Sequence, residues 1–185
     1  PNMTVVAPCD AEEMRRLMVQ TIDWPHPIYI RLGKGGDAVI SREELGFEIG
    51  RAILLKEPGT GIFVTTGVMT QLALKAAEQL ASEGLACGVL HMHTIKPLDH
   101  AALNHWLPKV DALVSVEEHT RIGGLGSAIL EYCSDELPDQ ARKVARIGIP
   151  DCFAKQYGSQ DSLLGHWGIT ADSIAETMRK KLRKI

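Results

Sequence analysis

The sequence predicts an α/β domain built on a largely parallel sheet. Short apolar, β-branched runs alternate with segments of helical spacing, and residues 62–66 form a continuous run of the kind buried on both faces of a parallel sheet. From 112 to 132 a strand, a glycine-rich turn and a helix follow in immediate succession. Ligands gather beyond the carboxyl ends of strands in such sheets, which directs attention to the polar residues there.

Residues 3–8 read as a short strand, and Asp10 with Glu12 and Glu13 gives an N-cap and acidic first turn for a helix over 11–22. Trp24-Pro25-His26-Pro27 stops that helix, and 28–32 (IYIRL) is a second strand. This βαβ unit is too small to stand alone, so residues 1–33 read as the tail of a preceding domain and 34–45 as a linker. The chain opens on Pro1, which fits a piece of something longer.

The main domain is expected over 46–185. Its first, edge strand spans 46–56, followed by a Pro58-Gly59 turn and the buried strand 62–66. Leu72, Ala73, Ala76, Ala77 and Leu80 recur at helical spacing over 70–83, and Gly84 supplies the stop. Strand 86–92 leads to Pro97, which breaks the ladder, and to Asp99, which caps a helix reaching 107. Strand 112–116, a helix from 127 and strand 144–147 follow. Residues 148–168 read as a polar excursion, and 170–182 as an amphipathic helix with Ile174, Met178 and Leu182 on one face.

With 45% apolar and 23% charged residues, the 185-residue chain has the composition of a soluble globular protein. Its net charge of −3 is too small and too evenly spread to argue for nucleic acid or an anionic membrane as partner. The basic cluster 179–184 suits the C-terminal end of a helix dipole. Cys9, Cys87, Cys133 and Cys152 have no metal or redox spacing, so reduced thiols in a cytoplasmic protein are expected. No apolar run approaches the ~20 residues of a membrane span.

Gly123, Gly124 and Gly126 could cradle a phosphate, but G-G-x-G lacks the spacing of a dinucleotide fingerprint and a following lysine. Tight turning and close helix–sheet packing is the favoured reading. Glu117, Glu118 and His119 could form an acid/base set, yet neighbours on a strand face opposite ways, so a structural or interface role is expected. His91 and His93 share a strand face without a carboxylate at metal-site spacing. No G-x-S-x-G elbow presents a serine. Arg31, at the end of IYIRL, is placed to grip a carboxylate or phosphate with its planar fork.

The order TVVAP-x-DAEEM, PIYIRLGKG, VLHMHTIKPLD, VSVEEHTRIGGLGSAI and YGSQDSLLGHWGIT resembles the C-terminal part of transketolase-like thiamine-diphosphate enzymes, above all the C-terminal subunit of a split transketolase. The resemblance implies a three-layer α/β/α domain whose mostly parallel five-stranded sheet has an antiparallel first strand, set behind the tail of a pyrimidine-binding domain. It implies two-carbon ketol transfer between sugar phosphates by the complete enzyme, using thiamine diphosphate and Mg. Deoxyxylulose-phosphate synthase, the beta subunit of a 2-oxoacid dehydrogenase and a non-catalytic assembly or ligand-sensing module are the alternatives. The family's catalytic glutamate lies upstream, so no residue here takes that role, and no cofactor is expected on this chain alone. Arg31 matches the family's substrate-phosphate arginine. Expected partners are an N-terminal diphosphate-binding domain or subunit and further copies in a homodimer or hetero-oligomer.

Overall fold

A computed structural model describes residues 1–183; Lys184, at the end of the basic cluster, lies outside them. The main sheet has five strands in the order β3 (Ile53–Lys56), β5 (Cys87–His91), β4 (Gly61–Thr65), β7 (Ala112–Thr120) and β8 (Val144–Ile149). Strand β3 runs antiparallel to β5, and the other neighbours are parallel. The expected three-layer α/β/α fold with an antiparallel first strand is therefore present.

Alternation along the central strands builds the layers. Phe63 pairs in register with Val89 and Val114, and these face helices α2 (Met69–Ser82) and α7 (Ala171–Leu182). Ile62, Val64, Leu90 and Leu113 face the other way, onto α3 (His100–Trp106) and α4 (Leu125–Glu136). Both faces of β4 are closed to solvent, which is why its sequence is continuously apolar. Asp99 caps α3 by accepting from the Ala102 amide at 2.9 Å, and Thr170 with Ser173 forms a capping box on α7.

A second, three-stranded sheet has the order β2 (Ile28–Ile30), β1 (Thr4–Val6), β6 (Thr94–Lys96). Strands β1 and β2 are parallel, with α1 (Ala11–Thr21) packed on them through Leu17. Strand β6 was not expected: the chain leaves β5, crosses to the smaller sheet and pairs antiparallel with β1 before Pro97 ends it. The two sheets thus share one continuous stretch of backbone.

Three further details differ from expectation. The first main-sheet strand starts at Ile53 rather than 46, because Gln20, Thr94 and Asp99 side chains hold the amides of Ile49, Gly50 and Ala52 in turns. The excursion 148–168 contains a short helix, α6 (Gln160–His166), capped by Ser159. A single helical turn, α5 (Pro138–Ala141), precedes β8.

Candidate functional site

The carboxyl ends of β2, β4 and β7 lie at one edge, where the residues singled out in the sequence meet. Strand β7 runs on past its last pairing with β4, at Val116, to Thr120. Glu117, Glu118 and His119 occupy this overhang.

Glu117 is fully buried and turned into the start of α4. Its Oε2 accepts from the Leu125 amide at 2.8 Å and its Oε1 from the Gly126 amide at 3.0 Å. The carboxylate therefore occupies the position that a bound anion would take at a helix N-terminus. Burial pushes its pKa up, against the pull of those two amides, Arg31 and Arg146.

The glycines make this arrangement possible. A Cβ on Gly124 would collide with the Glu117 carboxylate, its Cδ only 2.7 Å away. One on Gly126 would lie 2.5 Å from Ser115 Oγ, between β7 and α4. Gly123 adopts φ +72° at the turn itself.

Glu118 and His119 are half-buried. Burial and the nearby Asp37 raise the Glu118 carboxyl pKa, and Arg31 opposes them. Burial and Arg31 lower the His119 pKa, and its Nδ1 has no hydrogen-bond partner among the described residues.

Arg31 follows β2, its amide donating to the Val6 carbonyl at 2.8 Å. Its guanidinium lies 5.9 Å from the Tyr29 ring centroid and makes no ion pair among the described residues. It lines an open groove of about 850 Å³ together with Tyr29, Lys96, Gly123, Gly124 and Ser127. On another side it lines a cavity of about 20 Å³ with Glu118, Gly33, Thr66 and Gly67.

A second polar cluster escaped sequence reasoning. Glu13, read as part of the acidic first turn of α1, is fully buried, and its Oε2 lies 2.8 Å from His91 Nε2. The same oxygen accepts from the Cys9 amide at 2.7 Å. The Thr70 hydroxyl lies 2.9 Å from both the Gly67 carbonyl and His91 Nδ1, so the other ring nitrogen of His91 is also hydrogen-bonded. The spacing of His91 and His93 gave no sign of the carboxylate that bonds His91, because Glu13 belongs to the other sheet's helix.

Cys9, Glu13 and His91 donor atoms lie within 4.8 Å of one another. Glu13 Oε2 and His91 Nε2 are already paired, however, although Glu13 Oε1 has no partner among the described residues, and burial with Glu13 and Asp10 nearby pushes the Cys9 thiol pKa up. Thiamine diphosphate needs a diphosphate cradle, and the α4 amides that could offer one are turned to Glu117. The start of α4 therefore does not offer that cradle.

Fold and edge together define a domain of the transketolase class. Residues 50–174 match the family model described as transketolase, C-terminal domain, and the chain belongs to that family. It is 38% identical over 188 residues to the 6-deoxy-6-sulfo-D-fructose transketolase subunit SqwH of Clostridium sp. (strain MSTE9), covering 99% of this chain and 57% of that protein. It is 35% identical to the 1-deoxy-D-xylulose-5-phosphate synthase of Syntrophotalea carbinolica (strain DSM 2380 / NBRC 103641 / GraBd1), covering 97% of this chain and 28% of that one. A solved structure described as a split gene transketolase, inactive beta4 tetramer, superposes with a TM-score of 0.91 at 36% identity, over 99% of this chain and 59% of that chain. The chain thus spans less than two thirds of each of these proteins.

Proposed function

We propose that this chain is the C-terminal part of a transketolase-like enzyme that transfers a two-carbon ketol unit between sugar phosphates. The observation that carries this reading is the similarity, over nearly the whole chain, to a transketolase subunit and to a split gene transketolase. In this reading residues 1–33 are the tail of a pyrimidine-binding domain, 34–45 a linker and 46–185 the C-terminal domain. Thiamine diphosphate and Mg are held by parts outside this chain, and the cofactor supplies the carbanion chemistry when bound. This chain contributes Arg31, whose unpaired guanidinium in an open groove suits the phosphate of a sugar substrate.

On its own the chain is inactive and serves assembly. It joins an N-terminal diphosphate-binding subunit, and further copies of itself in an oligomer, in the cytoplasm. No helix among the described residues is long and apolar enough to cross a membrane.

The similarity to a deoxyxylulose-phosphate synthase supports a second reading, in which pyruvate is the donor. The test is reconstitution with the diphosphate-binding subunit, thiamine diphosphate and Mg, assayed with hydroxypyruvate and with pyruvate against a panel of aldose phosphates. Turnover of hydroxypyruvate by the assembly and by neither part alone is expected. Consumption of pyruvate would favour the second reading, and turnover by this chain alone would overturn the division of labour.

A further inference from the structure

We propose that Glu118 is a positioning residue for Arg31: it stands behind the guanidinium and aims it into the open groove, where it meets the phosphate of the substrate. The inference rests on the reading of Arg31 as the phosphate-binding residue.

The geometry separates two sides of Arg31. Towards the groove its neighbours are Tyr29, Lys96 and the glycine-rich start of α4, and Glu118 does not line that space. On the other side Arg31 and Glu118 line the 20 Å³ cavity together, along with Thr66, whose buried hydroxyl has no hydrogen-bond partner among the described residues. A cavity of that size admits about one water, and the Thr66 hydroxyl, Glu118 and Arg31 are the polar side chains on its wall that would hold it.

Backbone geometry gives Glu118 this post. The arginine is anchored by its amide to Val6 in the smaller sheet, while Glu118 extends from the overhang of the main sheet. A long, rotamer-rich arginine loses affinity unless something favours the bound orientation; no direct ion pair joins Arg31 to Glu118, so the strand-held carboxylate would act across the small cavity that both line. Glu117 cannot share the task, because both of its oxygens are engaged by α4 amides. Asp37 is the other acid felt by Glu118, and it belongs to the stretch after β2 rather than to either strand.

The sign of one measurement decides the matter. A carboxylate that is merely a nearby negative charge repels phosphate, so removing its charge tightens phosphate binding. A carboxylate that positions the arginine does the opposite. The experiment uses the complete assembly with its diphosphate-binding subunit, titrated with inorganic phosphate by calorimetry, comparing wild type with Glu118→Gln, Glu118→Asp and Arg31→Met.

Arg31→Met should weaken phosphate binding by about tenfold or more, Glu118→Gln by about three- to tenfold, and Glu118→Asp should recover part of that loss. Thermal melts of the same variants should stay close to wild type. Where the assembly turns over glyceraldehyde 3-phosphate, Glu118→Gln should raise KM for it while leaving kcat, and activity towards unphosphorylated glyceraldehyde, within about twofold. Unchanged or tighter phosphate binding in Glu118→Gln, with the Arg31 variant weakened, overturns the positioning role alone. Wild-type phosphate binding in Arg31→Met overturns the reading of Arg31 on which it rests.

Discussion

Glu13 Oε2 lies 2.8 Å from His91 Nε2 with both side chains shut away from solvent, fastening helix α1 to strand β5 across 78 positions of sequence. Through Thr70 and Thr65 the chain of hydrogen bonds continues into α2 and β4, so one polar thread ties the smaller sheet's helix to the centre of the larger sheet. Removing one end leaves a buried polar partner without compensation. Glu13→Ala should therefore cost roughly 3–5 kcal/mol, the range for breaking a buried pair, measured by urea unfolding. Glu13→Gln, which keeps the Cys9 amide contact, should cost less.

Acid should undo the same junction in two stages. Burial, with His91 adjacent, lowers the His93 pKa from 6.5 to about 4, against the opposing pull of Glu13 and Asp99. The unfolded chain therefore takes up this proton first, and stability present above pH 6.5 is lost as pH falls towards 4, by on the order of 3 kcal/mol. Burial favours a neutral Glu13, but His91, His93 and the Cys9 amide together outweigh it and lower the Glu13 pKa from 4.5, so the contribution of Glu13 is lost as pH falls below that value. Denaturant unfolding at a series of pH values should slope downwards through both windows. His93→Gln should flatten the upper window and leave the lower one.

Gly124 and Glu117 form a steric and electrostatic unit. The backbone at Gly124 has φ −96°, which alanine tolerates, so the cost of Gly124→Ala is mainly the collision of its Cβ with the Glu117 carboxylate, with a lesser one against the Thr120 carbonyl at 2.9 Å. Expelling that carboxylate also strips the α4 amides of their acceptor. The expected destabilisation is about 2–4 kcal/mol for Gly124→Ala and about 1–2 kcal/mol for Glu117→Ala. The double variant should cost clearly less than the two together, because alanine at 117 makes room for the new methyl. Strict additivity in thermal or chemical unfolding would count against the unit.

Much of this architecture was legible from local pattern, because its causes are local. The apolar strand 62–66, the spacing of Leu72 to Leu80, the Gly84 stop and the Asp99 cap each depend on residues within a turn or two. The EEH sequence and the glycines read as one strand-to-helix stretch and Arg31 as a lone cation at the end of another strand; that they meet follows only from the packing of the two sheets. What stayed hidden depends on partners far away in sequence. Strand β6 is short and ends at a proline, and its partner β1 lies about ninety residues earlier. Glu13 looks like an ordinary first-turn acid until α1 is laid over β5. The destination of Glu117 required a backbone turn that three glycines permit but do not dictate.

Asp10 offers the last prediction, because one carboxylate does two jobs. It caps α1 by accepting from the Glu13 amide at 2.9 Å, and it holds the following segment through the Ile40 amide at 2.8 Å and the Ser41 amide at 2.7 Å. Burial works against the charge, yet those amides and the Ser41 hydroxyl lower the Asp10 pKa from 3.8 to about 2. Asp10→Ala should cost the cap, about 1 kcal/mol, and also release residues 37–42 from the start of α1. Asp10→Ser keeps a cap acceptor but cannot span both tasks, so it should restore much of the global stability without restoring the segment. Trypsin cleavage after Arg42, timed at neutral pH, separates the two. It should be faster in both variants than in wild type, whereas the unfolding midpoint should fall mainly in Asp10→Ala. Equal protection of Arg42 in all three proteins would show that the segment is held by other contacts.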